Sequence, residues 1–199
     1  AKTKGATILS VTNVVGSSIA RESDNVFYTW AGPEIAVAST KGYTTQVTAL
    51  YMIALKFGEI LGTICSDEIK KIIAGFKELP SKIELLLKDI EVYKRIALEL
   101  KDKTTCFYLG RGLDYYTAME SALKLKEISY IYTESFAAGE LKHGTIALIE
   151  DGTPVFVIAT QERLYEKIIS NVKEVKARGA RVYEITQLDN NLNVSDERI

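Results

Sequence analysis

Short apolar runs that alternate with longer helical patterns are the feature that most limits how this chain can fold. In its second half, residues 104–109, 154–160 and 181–186 are typical of buried strands, and residues 115–129 and 162–178 are typical of helices. Strand–helix–strand alternation favours a parallel sheet with right-handed crossovers. The sequence therefore predicts an α/β fold.

The first part of the chain gives a similar but weaker pattern. Residues 7–12 are predicted to form a buried strand, residues 13–24 a loop and residues 26–30 a second strand. Residues 41–61 are predicted to form a long helix. Its apolar residues wrap more than one face, which indicates a helix that is buried or lies at an interface.

Residues 66–103 are charged and helix-rich, and they are predicted to connect two α/β units. Ser66 is a plausible helix start, and Pro80 is expected to interrupt the pattern so that Ser81 begins another helix. Both ends of the sequence are expected to lie within a larger fold. The first predicted strand begins almost at residue 1, and residues 193–199 are predicted to begin a further strand. We therefore expect a fragment or a short version of something larger.

Composition excludes several classes of function. The formal net charge is −1, which gives no electrostatic footprint for nucleic acid or an anionic membrane surface. No apolar run reaches the length of a membrane span. Cys65 and Cys106 are far apart, and with His143 as the only histidine a zinc site is not expected. We expect a reduced, cytoplasmic protein without metal or cofactor.

A row of charged residues stands out in the predicted helix 115–129. Glu120, Lys124 and Glu127 are spaced i, i+4, i+7, which places them on one helical face. One interpretation is a solvated face whose ion pairs each contribute about 0.2–0.5 kcal/mol. The other is a group of side chains that moves protons. An apolar stripe on the same helix is predicted from Tyr116, Met119 and Leu123.

His143 lies in a predicted loop over residues 134–144 that is rich in small and polar residues. Histidine titrates near neutrality, so this side chain is either a structural residue or an acid–base catalyst. The sequence Gly110-Arg111-Gly112 follows a strand, but Tyr115 stands where a dinucleotide fingerprint needs glycine, so a tight turn is the better interpretation.

Ser39, Thr40 and Lys41 precede the long helix and permit two interpretations. They are either an ordinary N-cap with a surface lysine, or they offer hydroxyls and free N–H groups to a sugar or phosphate.

Four runs, at residues 32–41, 109–112, 120–130 and 134–144, together resemble the isomerase half of the glutamine–fructose-6-phosphate aminotransferase family, also called glucosamine-6-phosphate synthase. The resemblance covers essentially the whole chain in order. It implies doubly wound parallel sheets with flanking helices, of the sugar-isomerase (SIS) type.

The resemblance also implies a domain organisation. Residues 1–62 would be the C-terminal half of a first SIS domain, residues 63–103 a helical connection, and residues 104–199 a second SIS domain that lacks its C-terminal end. The family makes glucosamine 6-phosphate from fructose 6-phosphate and ammonia. A glutaminase domain of the parent chain supplies the ammonia, and neither cysteine of this chain matches its nucleophile.

Site residues are implied position by position. Glu127 matches the carboxylate that moves a proton between C1 and C2, and Glu120 and Lys124 match residues that position and polarise it. His143 matches the ring-opening histidine, which the family contributes to the neighbouring subunit's site, so the resemblance implies a homodimer with a shared active site.

Val37 and Ser39 match positions that contact the sugar. Three departures accompany the match: the family's phosphate loop lies upstream of Ala1, its Schiff-base lysine lies beyond Ile199, and Thr145 replaces a usual proline. Two further interpretations therefore stay open beside a catalytically incomplete enzyme part. One is a sugar-phosphate-binding SIS module without catalysis, and the other is a dimerising fragment.

Overall fold

The chain divides near residue 90 in the computed structural model, which describes residues 1–187 and 192–199. The first unit is Ala1–Asp89 and the second is Ile90–Ile199. Elements of the first unit are a 3-10 helix at Lys2–Lys4, strands β1 (Leu9–Thr12) and β2 (Asn25–Tyr28), and helices α1 (Ser18–Glu22), α2 (Lys41–Ile60) and α3 (Ser66–Leu86).

The first unit contains a two-stranded parallel sheet, with Leu9 opposite Asn25 and Thr12 opposite Tyr28. Both predicted strands are confirmed, but the expectation that the first is buried is wrong, since Leu9 is 47% exposed. Strand β1 has one exposed and three half-buried residues, so its side chains are not covered on both faces as those of a buried parallel strand would be. The predicted loop 13–24 is also corrected, because it contains α1, which the Ser17 side chain caps by accepting from the Ala20 N–H.

The long helix α2 is confirmed, but it is not buried within its unit. Its buried residues are Ala49, Leu55 and Gly58, whereas larger side chains such as Phe57 are exposed.

Helix α3 runs through Pro80 without a break, so the predicted interruption is wrong. Proline removes one backbone hydrogen bond, but Phe76, Leu79 and Ile83 repeat at helical spacing on both sides of it. The hydroxyl of Ser81 donates to the Glu78 carbonyl within the helix and does not cap a new one.

The second unit is built on a five-stranded parallel sheet in the order β4-β3-β5-β6-β7. Its elements are α4 (Glu91–Leu100), β3 (Thr105–Gly110), α5 (Leu113–Ser129), β4 (Tyr132–Ala137), β5 (Pro154–Ala159), α6 (Tyr165–Lys176), β6 (Arg181–Thr186) and β7 (Glu197–Arg198), with 3-10 helices at Leu141–His143, Thr145–Leu148 and Glu162–Leu164.

Helices cover both faces of this sheet, as the α/β prediction requires. Alternate residues of β3 point to opposite faces. Phe107 and Leu109 pack with α6, while Cys106 and Tyr108 pack with α4 and α5. The rings of Tyr108, Phe156 and Tyr183 stack at successive centroid distances of 4.8 Å.

Strand β4 corrects the predicted loop over residues 134–144, because residues 134–137 extend the sheet. It is an edge strand, paired only with β3 among the described residues. Edge strands tolerate polar side chains such as Glu134 and Ser135. Because of these residues the segment has no apolar run, and apolar runs are what predicted the other strands. The further strand expected within residues 193–199 is observed as β7.

The two thiols are expected to differ sharply in reactivity. Cys65 is exposed, whereas Cys106 is fully buried in β3, where burial raises the pKa of its thiol to about 12. Since the thiolate is the reactive form, we expect one thiol per chain to react with a disulfide reagent at about pH 8, and the second only in denaturant. Cys65→Ser should remove the fast reaction, and two fast equivalents in the parent chain would contradict this burial.

Candidate active site

A tight turn joins β3 to α5 and fixes where that helix begins. At Gly110 a Cβ would overlap the main chain of Asp114, so only glycine lets the strand end this close to the first helical turn. Gly112 has φ +62°, a conformation that side chains disfavour. The turn agrees with the interpretation of Gly110-Arg111-Gly112 made from the sequence.

A buried carboxylate stabilises this turn, and no sequence motif points to it. Asp114 is 5% exposed and accepts from both the N–H and the hydroxyl of Thr160, at 2.9 and 2.6 Å. The Gln161 amide donates to the Arg111 carbonyl at 2.8 Å. These bonds join the start of α5 to the loop after β5, so they hold the helix at the carboxyl edge of the sheet.

Helix α5 buries a face of small residues. Ala118 and Ala122 are 0% and 3% exposed and pack beside Cys106 and Tyr108 of β3. The predicted apolar stripe is wrong as a core face, because its members are 41–65% exposed: Tyr116, Met119 and Leu123. Alanine lets the helix lie close to the sheet, and this packing leaves the opposite side for charged residues.

The charged row lies on that opposite side. A helix turns once in about 3.6 residues, which places Glu120, Lys124 and Glu127 away from the buried alanines. Lys124 Nζ lies 2.8 Å from Glu127 Oε2 and 3.4 Å from Glu120 Oε1. The three side chains are 21–30% exposed, so they are neither in the core nor fully solvated. One ammonium therefore holds two carboxylates in a fixed arrangement.

The protonation of Lys124 follows from this arrangement. The hydrogen bond to Glu127 raises the pKa of the Lys124 ammonium, and the charge of Glu120 raises it further, while partial burial acts in the opposite direction. The net effect is a lysine that stays cationic at neutral pH. Lys124 can therefore orient and polarise a carboxylate, but it is not available there as a neutral amine.

His143 ends the 3-10 helix Leu141–His143, and its side chain is exposed. Leu141 is 1% exposed within the core, so it anchors this segment beside the end of β4. The His143 N–H donates to the Glu140 carbonyl at 3.0 Å. Among residues 1–187 and 192–199, the imidazole makes no hydrogen bond or ion pair to the charged row.

Val37 and Ser39 lie in the first unit, between β2 and α2. Val37 is 91% exposed, whereas Ala38 between them is buried. The Ser39 hydroxyl donates to Glu34 Oε1 at 3.0 Å, a contact that the sequence pattern did not reveal.

A cleft of about 460 Å³ opens at the carboxyl edge of the second unit's sheet. Arg111 and Gly139 line it, together with Tyr115 and Tyr116 from the first turns of α5. None of its lining residues belongs to the charged row.

Two searches of the described residues bear on other kinds of site. No group of three or more histidine, cysteine, aspartate or glutamate side chains there could hold a metal ion. No helix in that part of the chain is long and apolar enough to cross a membrane.

The sequence of this chain matches known proteins. The SIS domain pattern matches residues 1–56 and 99–196. The glutamine–fructose-6-phosphate aminotransferase (isomerizing) of Caldanaerobacter subterraneus subsp. tengcongensis is 56% identical over 190 residues, which cover 96% of this chain and 31% of that protein. The enzyme of the same name from Clostridium tetani is 55% identical over 185 residues, covering 93% and 30% of the two chains.

The fold also matches a solved structure of a protein of this kind. The C-terminal domain of glucosamine-fructose-6-phosphate aminotransferase from Francisella tularensis superposes with a TM-score of 0.90 at 37% identity, covering 96% of this chain and 55% of that one. This chain therefore spans about a third of the length of the curated relatives it matches.

Proposed function

Since this chain belongs to the SIS domain family, we propose that it is the sugar-isomerising part of a glutamine–fructose-6-phosphate aminotransferase. The proposed product is glucosamine 6-phosphate, made from fructose 6-phosphate and glutamine-derived ammonia. The observation that carries this proposal is the Glu120–Lys124–Glu127 row, held on a braced helix in a chain 56% identical to such an enzyme.

Glu127 is the proposed base. Moving a proton between two adjacent carbons needs one group that can remove it and return it without changing place. The hydrogen bond from Lys124 orients the Glu127 carboxylate, and the packing of α5 against the sheet fixes the helix that carries it. Its side chain is 30% exposed, so it can reach a ligand from the helix surface.

Lys124 and Glu120 are proposed to support that base. The Lys124 ammonium donates to Glu127 Oε2 at 2.8 Å and so orients the carboxylate that is to accept the proton. Glu120 binds the same ammonium from the other side, at 3.4 Å, and so limits its movement.

Outside the row, the proposed roles are ring opening for His143 and sugar contact for Val37 and Ser39. The His143 imidazole is exposed and makes no bond to the row within the described chain. This agrees with a histidine that serves the neighbouring subunit's site in a homodimer.

We extend the proposal to the parent protein. Residues 1–62 and 104–199 are assigned to two SIS domains, joined by a helical connection at 63–103. A glutaminase domain of the parent chain would deliver ammonia, and the enzyme would be cytoplasmic.

The proposal is tested by incubating the natural protein, with every residue its gene encodes, with fructose 6-phosphate and glutamine. We expect glucosamine 6-phosphate to accumulate. Binding of fructose 6-phosphate without product would instead favour a sensing module. No binding at about millimolar sugar phosphate would favour a dimerising fragment.

Removing the cation of the row is expected to weaken catalysis. Lys124→Met takes away the hydrogen bond of 2.8 Å that orients the Glu127 carboxylate, while a side chain of similar length still fills the space. We expect kcat to fall about a hundredfold, as a misplaced catalytic group can cause, with KM changed by less than about twofold. Lys126→Met, an exposed lysine on the same helix, is the matched control and should leave kcat unchanged. Equal kcat values for both variants would refute the role given to Lys124.

A further inference from the structure

The Ser39 hydroxyl is held by a carboxylate that no site assignment above includes. It donates to Glu34 Oε1 at 3.0 Å, and Glu34 itself is exposed while Ser39 is half-buried. We propose that Glu34 is a positioning residue, which holds the Ser39 hydroxyl hydrogen so that the lone pairs of Ser39 Oγ are presented to the sugar. This inference rests on the proposed function, in which Ser39 contacts the sugar.

The neighbouring helix leaves space for this pair. Gly42 is the second residue of α2, and its φ lies outside the left-handed region. A Cβ at this position would overlap Glu34 Oε1 and stand 2.7 Å from Ser39 Oγ. Glycine weakens a helix, and no unusual backbone conformation requires it here. The space beside Gly42 is therefore taken up by the ends of the Glu34 and Ser39 side chains, and a Cβ there would displace them.

The charge of Glu34 also suits its position. It lies beside the N-terminus of α2, where the N-cap residue Thr40 makes no side-chain capping bond. Unpaired N–H groups and the helix dipole attract a negative charge at that end. The helix dipole thus favours a negative charge at the place where the serine binds the carboxylate.

The hydrogen bond decides what Ser39 can offer a ligand. An ionised carboxylate only accepts, so the single hydroxyl hydrogen of Ser39 is committed to Glu34. The lone pairs of Ser39 Oγ remain available, and they accept from a ligand hydroxyl. The pair therefore selects a ligand that donates at this point, as a polyhydroxylated sugar phosphate does.

A double-mutant cycle tests the pairing in the natural protein. We expect Ser39→Ala and Glu34→Ala each to raise KM for fructose 6-phosphate about tenfold, with kcat changed by less than about twofold. The double variant should be no worse than Ser39→Ala alone, because Glu34 acts through Ser39. Glu34→Gln keeps an acceptor oxygen and should recover most of the affinity, whereas Glu34→Met keeps the bulk without a strong acceptor and should not.

A pair of glycine variants gives a second readout. Gly42→Ala adds a better helix former but displaces Glu34, so KM should rise while the melting temperature does not fall by more than a few degrees. Gly75→Ala is the matched control, because a Cβ in α3 at that position meets nothing within 4 Å. It should leave KM unchanged.

The outcomes separate the inference from the proposed function. An unchanged KM in Ser39→Ala would remove the sugar contact on which the inference rests. A raised KM in Ser39→Ala, with either no effect of Glu34→Ala or additive effects in the double variant, would overturn the positioning role alone. A Gly42→Ala variant that behaves like Gly75→Ala would also overturn it.

Discussion

Glu127→Gln is expected to lower kcat for glucosamine 6-phosphate formation by about a thousandfold, the typical contribution of a positioned general base. The amide is close to the carboxylate in shape and can still accept from Lys124 through its oxygen. It cannot take a proton from C1 and return it to C2. The loss should therefore fall on the chemical step and not on folding.

Sugar binding separates this explanation from a structural one. The affinity for fructose 6-phosphate, measured by calorimetry on the same variant, should stay within about threefold of the parent, because binding does not need the basic form. Glu166→Gln, an exposed carboxylate on α6, is the matched control and should keep full activity. Full activity in Glu127→Gln would show that Glu127 is not the base.

Mixing two inactive variants is expected to restore about a quarter of the parent activity. If each site combines Glu127 of one subunit with His143 of the other, a heterodimer of Glu127→Gln and His143→Ala has one intact site and one doubly defective site. Random reassortment makes half of the dimers mixed, so about one site in four is intact. The measurement is activity after subunit exchange, with each variant alone as baseline.

The failure of this experiment would be equally informative. If exchange is demonstrated by a mass-tagged subunit and activity stays at baseline, His143 and Glu127 do not act across subunits. A gain in activity that requires no exchange would point instead to contamination by the parent protein.

Local patterns predicted what depends on local geometry. The Glu120–Lys124–Glu127 row follows from helical spacing, and the structure brings these three side chains together as expected. Strands β3 and β5 follow from apolar runs, because a strand buried on both faces is apolar over most of its length. Strand β6 follows from Val182, Tyr183 and Ile185, although it also contains charged residues.

Contacts between distant segments could not be predicted in this way. The bond from Asp114 to Thr160 spans 46 residues, and neither side chain stands out in the sequence. Strand β4 was missed because an edge position tolerates Glu134 and Ser135. Pro80 does not predict a helix break by itself, because a proline within a helix removes one backbone hydrogen bond and α3 continues through it. The apolar stripe was misassigned, because small alanines and not large side chains fit against the sheet.

The most direct test of the central claim is a crystal structure of the natural protein, carrying Glu127→Gln, with fructose 6-phosphate bound. The account predicts that the residue 127 side chain lies within about 3.5 Å of both C1 and C2, as a near-attack geometry requires. It also predicts that Ser39 touches a sugar hydroxyl. A sugar bound elsewhere, with this side chain out of reach of both carbons, would contradict the assignment of Glu127 as the base.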